Sequence, residues 1–388
     1  VLGQQQVDQH PVVVLGVPHA QLAELGHGAL PGGGVPPQVG QRQPGLDADA
    51  DLAGVAAFAG GHAAREAFDH SGWATCPGAE RAAAIGRFAD ALQKRGDALA
   101  AAVSRQNGMP ITLAEAFERD LAIGVLRYYG ELAKSEKIEE KRPSQIGIET
   151  LVRCSPIGVC AAIVPWNYPV TLAMSKIAPA LAADCTLIIK PSPNTSLDSY
   201  IFAEAALEAG LPAGVVNWLP ADRAAGAHLV AHPGVDKVSF TGSTPAGRAI
   251  CQVCGELLKP VSLELGGKSA AIVLDDADLD KIMPNVQFIT TINQGQTCFT
   301  CSRVPAPKSR YKQVVDAVAA MAQSVKIGNA LDRSTAPPRL ARWRRASIAK
   351  RWKATSRRAG PKRVWSPAAG GRRISIAVGS SSPRFLRT

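Results

Sequence analysis

The sequence predicts an α/β protein built on a parallel β-sheet, and three observations lead there. Between Ile157 and Leu274 apolar strands alternate strictly with helical segments joined by short connections, the pattern of a sheet covered on both faces. At 388 residues the chain is long enough for two or more domains with sizeable cores. Composition changes abruptly at both ends, which separates a patterned centre from unpatterned flanks.

Taken in order, residues 1–60 are rich in Gly, Pro, Gln and Ala, with Phe58 the only aromatic side chain, and are expected to be disordered. Residues 61–140 carry amphipathic stretches at 64–68, 79–105 and 112–135. In the second, Ile85, Phe88, Leu92 and Leu99 recur at three-, four- and seven-residue steps, which predicts a helix with one buried face, stopped at Asn107-Gly108 and Met109-Pro110. Residues 141–160 alternate through Ile146, Ile148, Thr150 and Val152 and predict a strand pair. The alternating region follows: strands at 159–164, 187–190, 215–219 and 238–240, helices at 171–183, 196–209, 223–231 and 245–256. The domain expectation is a ligand-binding sheet over 161–258, a further α/β portion over 259–334, and a basic disordered tail over 335–388.

The net charge of +11 belongs to that tail. Residues 331–388 hold about 16 Lys or Arg against the single acid Asp332, so the rest of the chain is mildly acidic, and nucleic acid is not the expected partner of the body. No run approaches the roughly 18 to 20 apolar residues of a membrane span, and no signal-peptide pattern opens the chain, so a cytoplasmic protein with reduced thiols is expected. Two C-x-x-C pairs, Cys251/Cys254 and Cys298/Cys301, lie too far apart for a compact zinc ribbon, and no metal is expected.

Chemistry concentrates in the run N-Q-G-Q-T-C-F-T-C-S-R at 293–303, where Gly295 and Thr297 would let the backbone bend and present Cys298. By itself this could equally be a loop with a structural thiol. Upstream, Glu264 lies in V-S-L-E-L-G-G-K, an alternating strand in which a buried carboxylate is costly unless paired or used. A thiol and a carboxylate together supply a nucleophile and a general base, as thioester formation and hydrolysis require. Phe240 to Gly247 reads as a strand, a turn at Gly242, Ser243 in a capping position and Pro245 at the helix start, a geometry suited to an anion. It has neither the Lys-Ser/Thr of a Walker loop nor a G-x-G-x-x-G. Lys190 ends an apolar strand, and Asn167 sits in a turn that its residue type alone would explain. All seven histidines lie at or before His232, outside every motif, which excludes a serine-histidine or H-E-x-x-H hydrolase.

Five motifs in order resemble the aldehyde dehydrogenase superfamily: P-W-N-Y-P at 165–169, I-I-K-P-S at 188–192, F-T-G-S-T-P-A-G at 240–247, L-E-L-G-G-K at 263–268, and the G-Q-x-C loop with Arg303. The likeness covers roughly residues 61–334. It implies a Rossmann-like cofactor domain, an α/β catalytic domain, an aldehyde substrate and NAD or NADP as cofactor. It further implies Cys298 as nucleophile, Glu264 as base, and Asn167 with the nucleophile's own N–H as oxyanion donors, with Lys176 nearby. The cofactor would be held by residues drawn from Ile163, Pro165, Trp166, Lys190, Ser192, Gly226, Gly242, Ser243, Gly247, Leu265 and Gly266. Relatives strict for NAD often place a Glu just beyond the strand-end lysine; here Pro193 and Asn194 follow Ser192, which keeps NADP open.

The family's hairpin, matched by 141–160, helps build a homodimer or homotetramer. Beyond residue 334 the resemblance stops. The E-x-F-G-P motif and the terminal oligomerisation strand have no counterpart, so an incomplete catalytic domain is expected, and frame-disrupted flanks would account for both ends. The rival reading is a catalytically dead relative whose Arg-rich tail, with Trp343, Trp352 and Trp365, binds anionic partners.

Overall fold

A computed structural model describes residues 48–135, 139–143, 147–333, 339–341, 363–368 and 372–377. The expected disorder of residues 1–47 lies outside them, as does Ile146. The chain forms two compact units. One comprises the chain through Gln106 together with Glu115–Leu265, the other Asn107–Ala114 with everything from Gly266 on.

The first unit opens with helix α1, Ala48–His70, which begins inside the stretch expected to be structureless. Ala57 and Ala64, seven residues apart and fully buried, pack in one cluster with Val159, Ala161, Ile188, Leu229 and Val238. Their small side chains let α1 approach the sheet closely, a mode of burial that a search for large apolar residues overlooks. The long amphipathic stretch then divides into α2 (Gly78–Lys94) and α3 (Gly96–Asn107). The break falls at Gly96, where a Cβ would lie 2.6 Å from Arg119 Cδ. A short turn at Ile111–Leu113 and a π-helical stretch at Ala114–Leu121 lead into α4 (Ala122–Lys134).

Strands β1 (Glu139–Pro143) and β2 (Glu149–Arg153) form the expected antiparallel pair, narrower than 141–160 because Val159 onward belongs to the sheet. Every residue of β1 is exposed, and only Val152 of β2 is partly covered.

The five-stranded sheet contains β3 (Val159–Ile163), β4 (Thr186–Lys190), β5 (Val216–Trp218), β6 (Lys237–Thr241) and β7 (Val261–Glu264) in the order β5-β4-β3-β6-β7, all parallel. Helices α5 (Pro169–Ala182), α6 (Asp198–Glu208), α7 (Arg223–Ala231) and α8 (Thr244–Glu256) connect them. β7 pairs with β6, so this unit runs to Leu265 rather than ending at 258.

In the second unit α9 (Leu279–Thr291) and α10 (Tyr311–Ser324) bury Leu279, Val314 and Val318 with Val273. β8 (Lys326–Gly328) pairs in parallel with β9 (Arg339–Ala341), and β10 (Arg363–Ala368) pairs antiparallel with β11 (Arg372–Ala377). Three of these short strands, 339–341, 363–368 and 372–377, are the described part of the tail expected to be disordered. R-I-S-I at 373–376 alternates polar and β-branched residues, and R-V-W-S at 363–366 sets two β-formers side by side, runs too short to register as a lasting period. The remainder of 335–388 lies outside the described residues.

Candidate active site

Four neighbouring strands of the first unit end level with one another. Ile163 pairs with Lys190 on one side and Phe240 on the other, and Thr241 pairs with Glu264. The Val164 N–H donates to the Lys190 carbonyl at 3.1 Å, and the Gly242 N–H to the Glu264 carbonyl at 2.9 Å. Connections from β3 lead first toward β4 and β5 and then back to β6, so the switch point of the sheet lies between β3 and β6. Ligands of open parallel sheets bind there, at the carboxyl ends. Ile163, Pro165, Trp166, Asn167, Lys190, Ser192, Gly242, Ser243 and Glu264 all belong to that edge or the turns leaving it.

Lys190 is buried, and its Nζ donates to the Pro191 carbonyl at 2.9 Å. Burial pulls the ammonium down to about 8, with the Asp222 carboxylate opposing. Gly226 on α7 makes room for it. Beyond it, Ser192 accepts from the Asn194 side-chain amide at 3.1 Å in a turn whose Pro193 and Asn194 are exposed.

At the β6–α8 turn the Ser243 hydroxyl accepts the Ala246 N–H at 3.4 Å, and Pro245 sits in the first turn, as the capping pattern predicts. Gly247 is required by packing: a Cβ there would meet Leu265 Cδ2 at 2.6 Å. The helix start therefore lies tight against the chain leaving β7. A 13-residue helix with this open, positive end suits an anion such as a cofactor pyrophosphate. With the buried Lys190 two strands away, these residues fit a dinucleotide.

Glu264 departs from expectation in one respect. β7 is the edge strand, its residues alternate between half-buried and exposed, and Glu264 falls on the exposed face. A carboxylate there carries no burial cost and does not need the pairing that the strand pattern demanded. It interacts with Lys176 of α5, whose ammonium is held below its ordinary range by burial, with Glu264 partly restoring it. The structure thus brings these two predicted residues together. Asn167 is half-buried in the turn before α5.

Cys298 and Gly266 belong to the second unit. The loop leaves α9 through three consecutive residues in the left-handed region, Asn293 (φ 47°), Gln294 (φ 61°) and Gly295 (φ 72°). Gly295 bends as predicted. Thr297 does not supply flexibility: it is buried, its hydroxyl 3.4 Å from the Ile292 carbonyl, and the bend is taken by Asn293 and Gln294 instead. A non-glycine side chain rarely adopts φ above zero unless held. Gln294 is held through its amide, which donates to the Gly108 carbonyl and accepts from Gln296 Nε2 at 3.1 Å. Downstream, Arg303 Nε donates to the Lys268 carbonyl at 2.8 Å, and the Ala271 N–H donates to the Arg303 carbonyl at 2.9 Å. A Cβ on Gly267 would sit 3.5 Å from the Cys298 carbonyl oxygen. Cys298 is exposed in the turn between these anchors, and its Sγ is a free thiol, as are all eight cysteines. Among the described residues no cluster could hold a metal ion.

The aldehyde dehydrogenase family profile matches residues 55–359. The chain belongs to the aldehyde dehydrogenase family. It is 56% identical over 273 residues to geranial dehydrogenase of Castellaniella defragrans, covering 70% of this chain and 57% of that protein, and 39% identical to betaine aldehyde dehydrogenase 1 of rice, covering 55% of it. The fold matches the aldehyde dehydrogenase of Mycobacterium tuberculosis in complex with NAD+ with a TM-score of 0.75 and 35% identity, over 82% of this chain and 65% of that one. The Bacillus cereus enzyme in its NAD+ complex gives a TM-score of 0.74 at 33% identity, covering 82% and 64% of the two chains. This member of the aldehyde dehydrogenase family thus spans rather more than half the length of the relatives it matches.

Sequence reasoning missed the roles of Asn293 and Gln294, although two amide residues ahead of a glycine are the kind that tolerate a left-handed bend. It also passed over Glu118. Its signal was placement: Ala114, Glu118, Ala122 and Leu126 follow at four-residue steps and are all fully buried.

Proposed function

We propose that this chain carries the chemistry of NAD(P)-dependent oxidation of an aldehyde to a carboxylic acid. The observation that carries it is the level edge of β3, β4, β6 and β7, which aligns Lys190, the Pro165–Asn167 turn, the α8 start and Glu264 in a family whose NAD+-bound members share this fold.

In this reading the Cys298 thiolate attacks the aldehyde carbon, and the Asn167 amide with the Cys298 N–H stabilises the resulting oxyanion, each donor being worth about 3 to 4 kcal/mol of barrier. The bound nicotinamide supplies a hydride acceptor. Glu264 then takes a proton from the water that hydrolyses the thioester, releasing the acid and the thiol. Lys190, Ser192, Gly226 and the Gly242–Gly247 turn hold the dinucleotide. Pro193 supplies no carboxylate to repel a 2′-phosphate, which keeps NADP open beside NAD.

The 56% identity to geranial dehydrogenase favours an apolar aldehyde of that class. Exposed Ile148 and Leu151 support the β1–β2 hairpin as a subunit contact in a homodimer or homotetramer. Free thiols throughout the described residues fit a reducing, cytoplasmic setting, and no helix among those residues is long and apolar enough to cross a membrane.

The test is absorbance at 340 nm with a panel of aldehydes, geranial included, and both cofactors. Aldehyde-dependent growth of the signal in the parent, lost in Cys298→Ala, is expected. A flat trace with every aldehyde would favour an inactive relative.

A further inference from the structure

Glu118 sits on the π-helical stretch Ala114–Leu121 with no solvent exposure. One carboxyl oxygen accepts the Val170 N–H at 2.8 Å and the Thr171 N–H at 3.4 Å, both in the first turn of α5. The other lies 2.8 Å from the Thr171 hydroxyl, which in turn lies 2.5 Å from the Phe117 carbonyl. The Thr171 hydroxyl has one proton and two acceptors within reach, the Phe117 carbonyl and the Glu118 carboxyl. Burial pushes Glu118 up to about 8, against the hydrogen bonds from Val170 and Thr171, which favour the charged form. Asp198 of α6 faces it and is itself raised to about 7.

The helix that Glu118 grips has no cap of its own, because Tyr168 at the capping position offers it no side-chain bond. Glu118 supplies the missing acceptor from a separate element. Its neighbour Phe117 packs edge-on against the Tyr168 ring, with centroids 5.9 Å apart. Two successive residues of the π-helical stretch therefore clamp both sides of the α5 start, and Asn167 is the residue immediately before that clamp. An α-helical turn spaces side chains differently, and π-helical segments recur where a functional group must be aimed.

We propose that Glu118, buried and hydrogen-bonded to the first turn of α5, is a positioning residue that fixes the start of that helix and through it the Asn167 amide. This rests on the reading of Asn167 as an oxyanion donor.

Two substitutions in the full chain test it. Glu118→Gln keeps an oxygen for the Val170 N–H in a side chain that carries no charge; Glu118→Ala takes that acceptor away. Hydrogen exchange of the 166–171 amides should match the parent in Glu118→Gln at pH 7 and be about tenfold faster in Glu118→Ala. The parent's protection, corrected for intrinsic exchange, should weaken as pH rises from about 5 to 8, the window between an ordinary carboxyl and the raised Glu118, and that of Glu118→Gln should not. Turnover with the aldehyde panel should fall at least about tenfold in kcat for Glu118→Ala, with aldehyde KM near the parent value, and recover in Glu118→Gln.

Glu118→Gln exchanging as fast as Glu118→Ala would overturn Glu118 as the acceptor that holds the α5 start. Unchanged exchange in Glu118→Ala, or fast exchange with unchanged kcat, would overturn the positioning role. If the parent oxidises no aldehyde, the functional reading fails by itself, and exchange at Trp166–Tyr168 still decides the clamp. If Glu118→Ala does not fold, Glu118→Gln and the pH series decide it.

Discussion

Gly226 lies directly against Lys190: a Cβ added to the glycine would stand 3.2 Å from the lysine Cδ and 3.4 Å from Cε. The substitution Gly226→Ala therefore displaces the lysine stem by a few tenths of an ångström without unfolding α7. The expected outcome is NAD(P) affinity weaker by about threefold to tenfold, measured by fluorescence titration, with a stability change below about 1 kcal/mol. Unaltered affinity would remove Lys190 from the cofactor site.

Lys190 also makes stability depend on pH. Its folded value, about 8, lies below the roughly 10.4 of an unfolded lysine, so between those values the folded chain binds fewer protons. Its contribution to stability accordingly rises with pH through that window, and below about pH 8 the buried charge imposes a constant cost. Lys190→Met should stabilise the protein at pH 7 by on the order of 2 kcal/mol and flatten its urea-midpoint profile between pH 8 and 10.

Glu264→Gln leaves the thiol and the strand edge in place and removes the base. A burst of NAD(P)H near one equivalent per site should persist, followed by a steady rate reduced by about a hundredfold or more. Stopped-flow absorbance separates the two phases. Loss of the burst would move Glu264 from thioester hydrolysis to the earlier step.

Gln294→Ala removes the amide that ties the left-handed bend to the Gly108 carbonyl and to Gln296. A destabilisation of about 1–3 kcal/mol in urea titration is expected, because a buried carbonyl loses its partner. Gln294→Gly should recover part of it by relieving the backbone at φ 61°.

The sheet was legible because every strand ends at a turn signal: Pro165, Pro191 and Gly242 punctuate β3, β4 and β6, and α7 begins and ends where the pattern placed it. The motif residues were legible for the same reason, since strand ends are where sequence is least redundant. What escaped was set by packing. Ala57 and Ala64 look like filler until a sheet lies beneath them. Glu118 looks like a solvated helical residue until the π-helical stretch turns it inward. Glu264 looked buried because alternation alone does not say which face of an edge strand meets solvent.

The β1–β2 ribbon, bare on both faces, has practical value at the bench. Two strands alone are marginal in water, and to the backbone ladder that joins these two the exposed cross-strand pair Lys141–Glu149, at 2.7 Å, adds little. Lys141 and Arg153 lie exposed along it, so a brief tryptic digest should nick the chain there well before it reaches the sheet. Whether added dilution speeds that nick would turn a gel lane into a readout of subunit association.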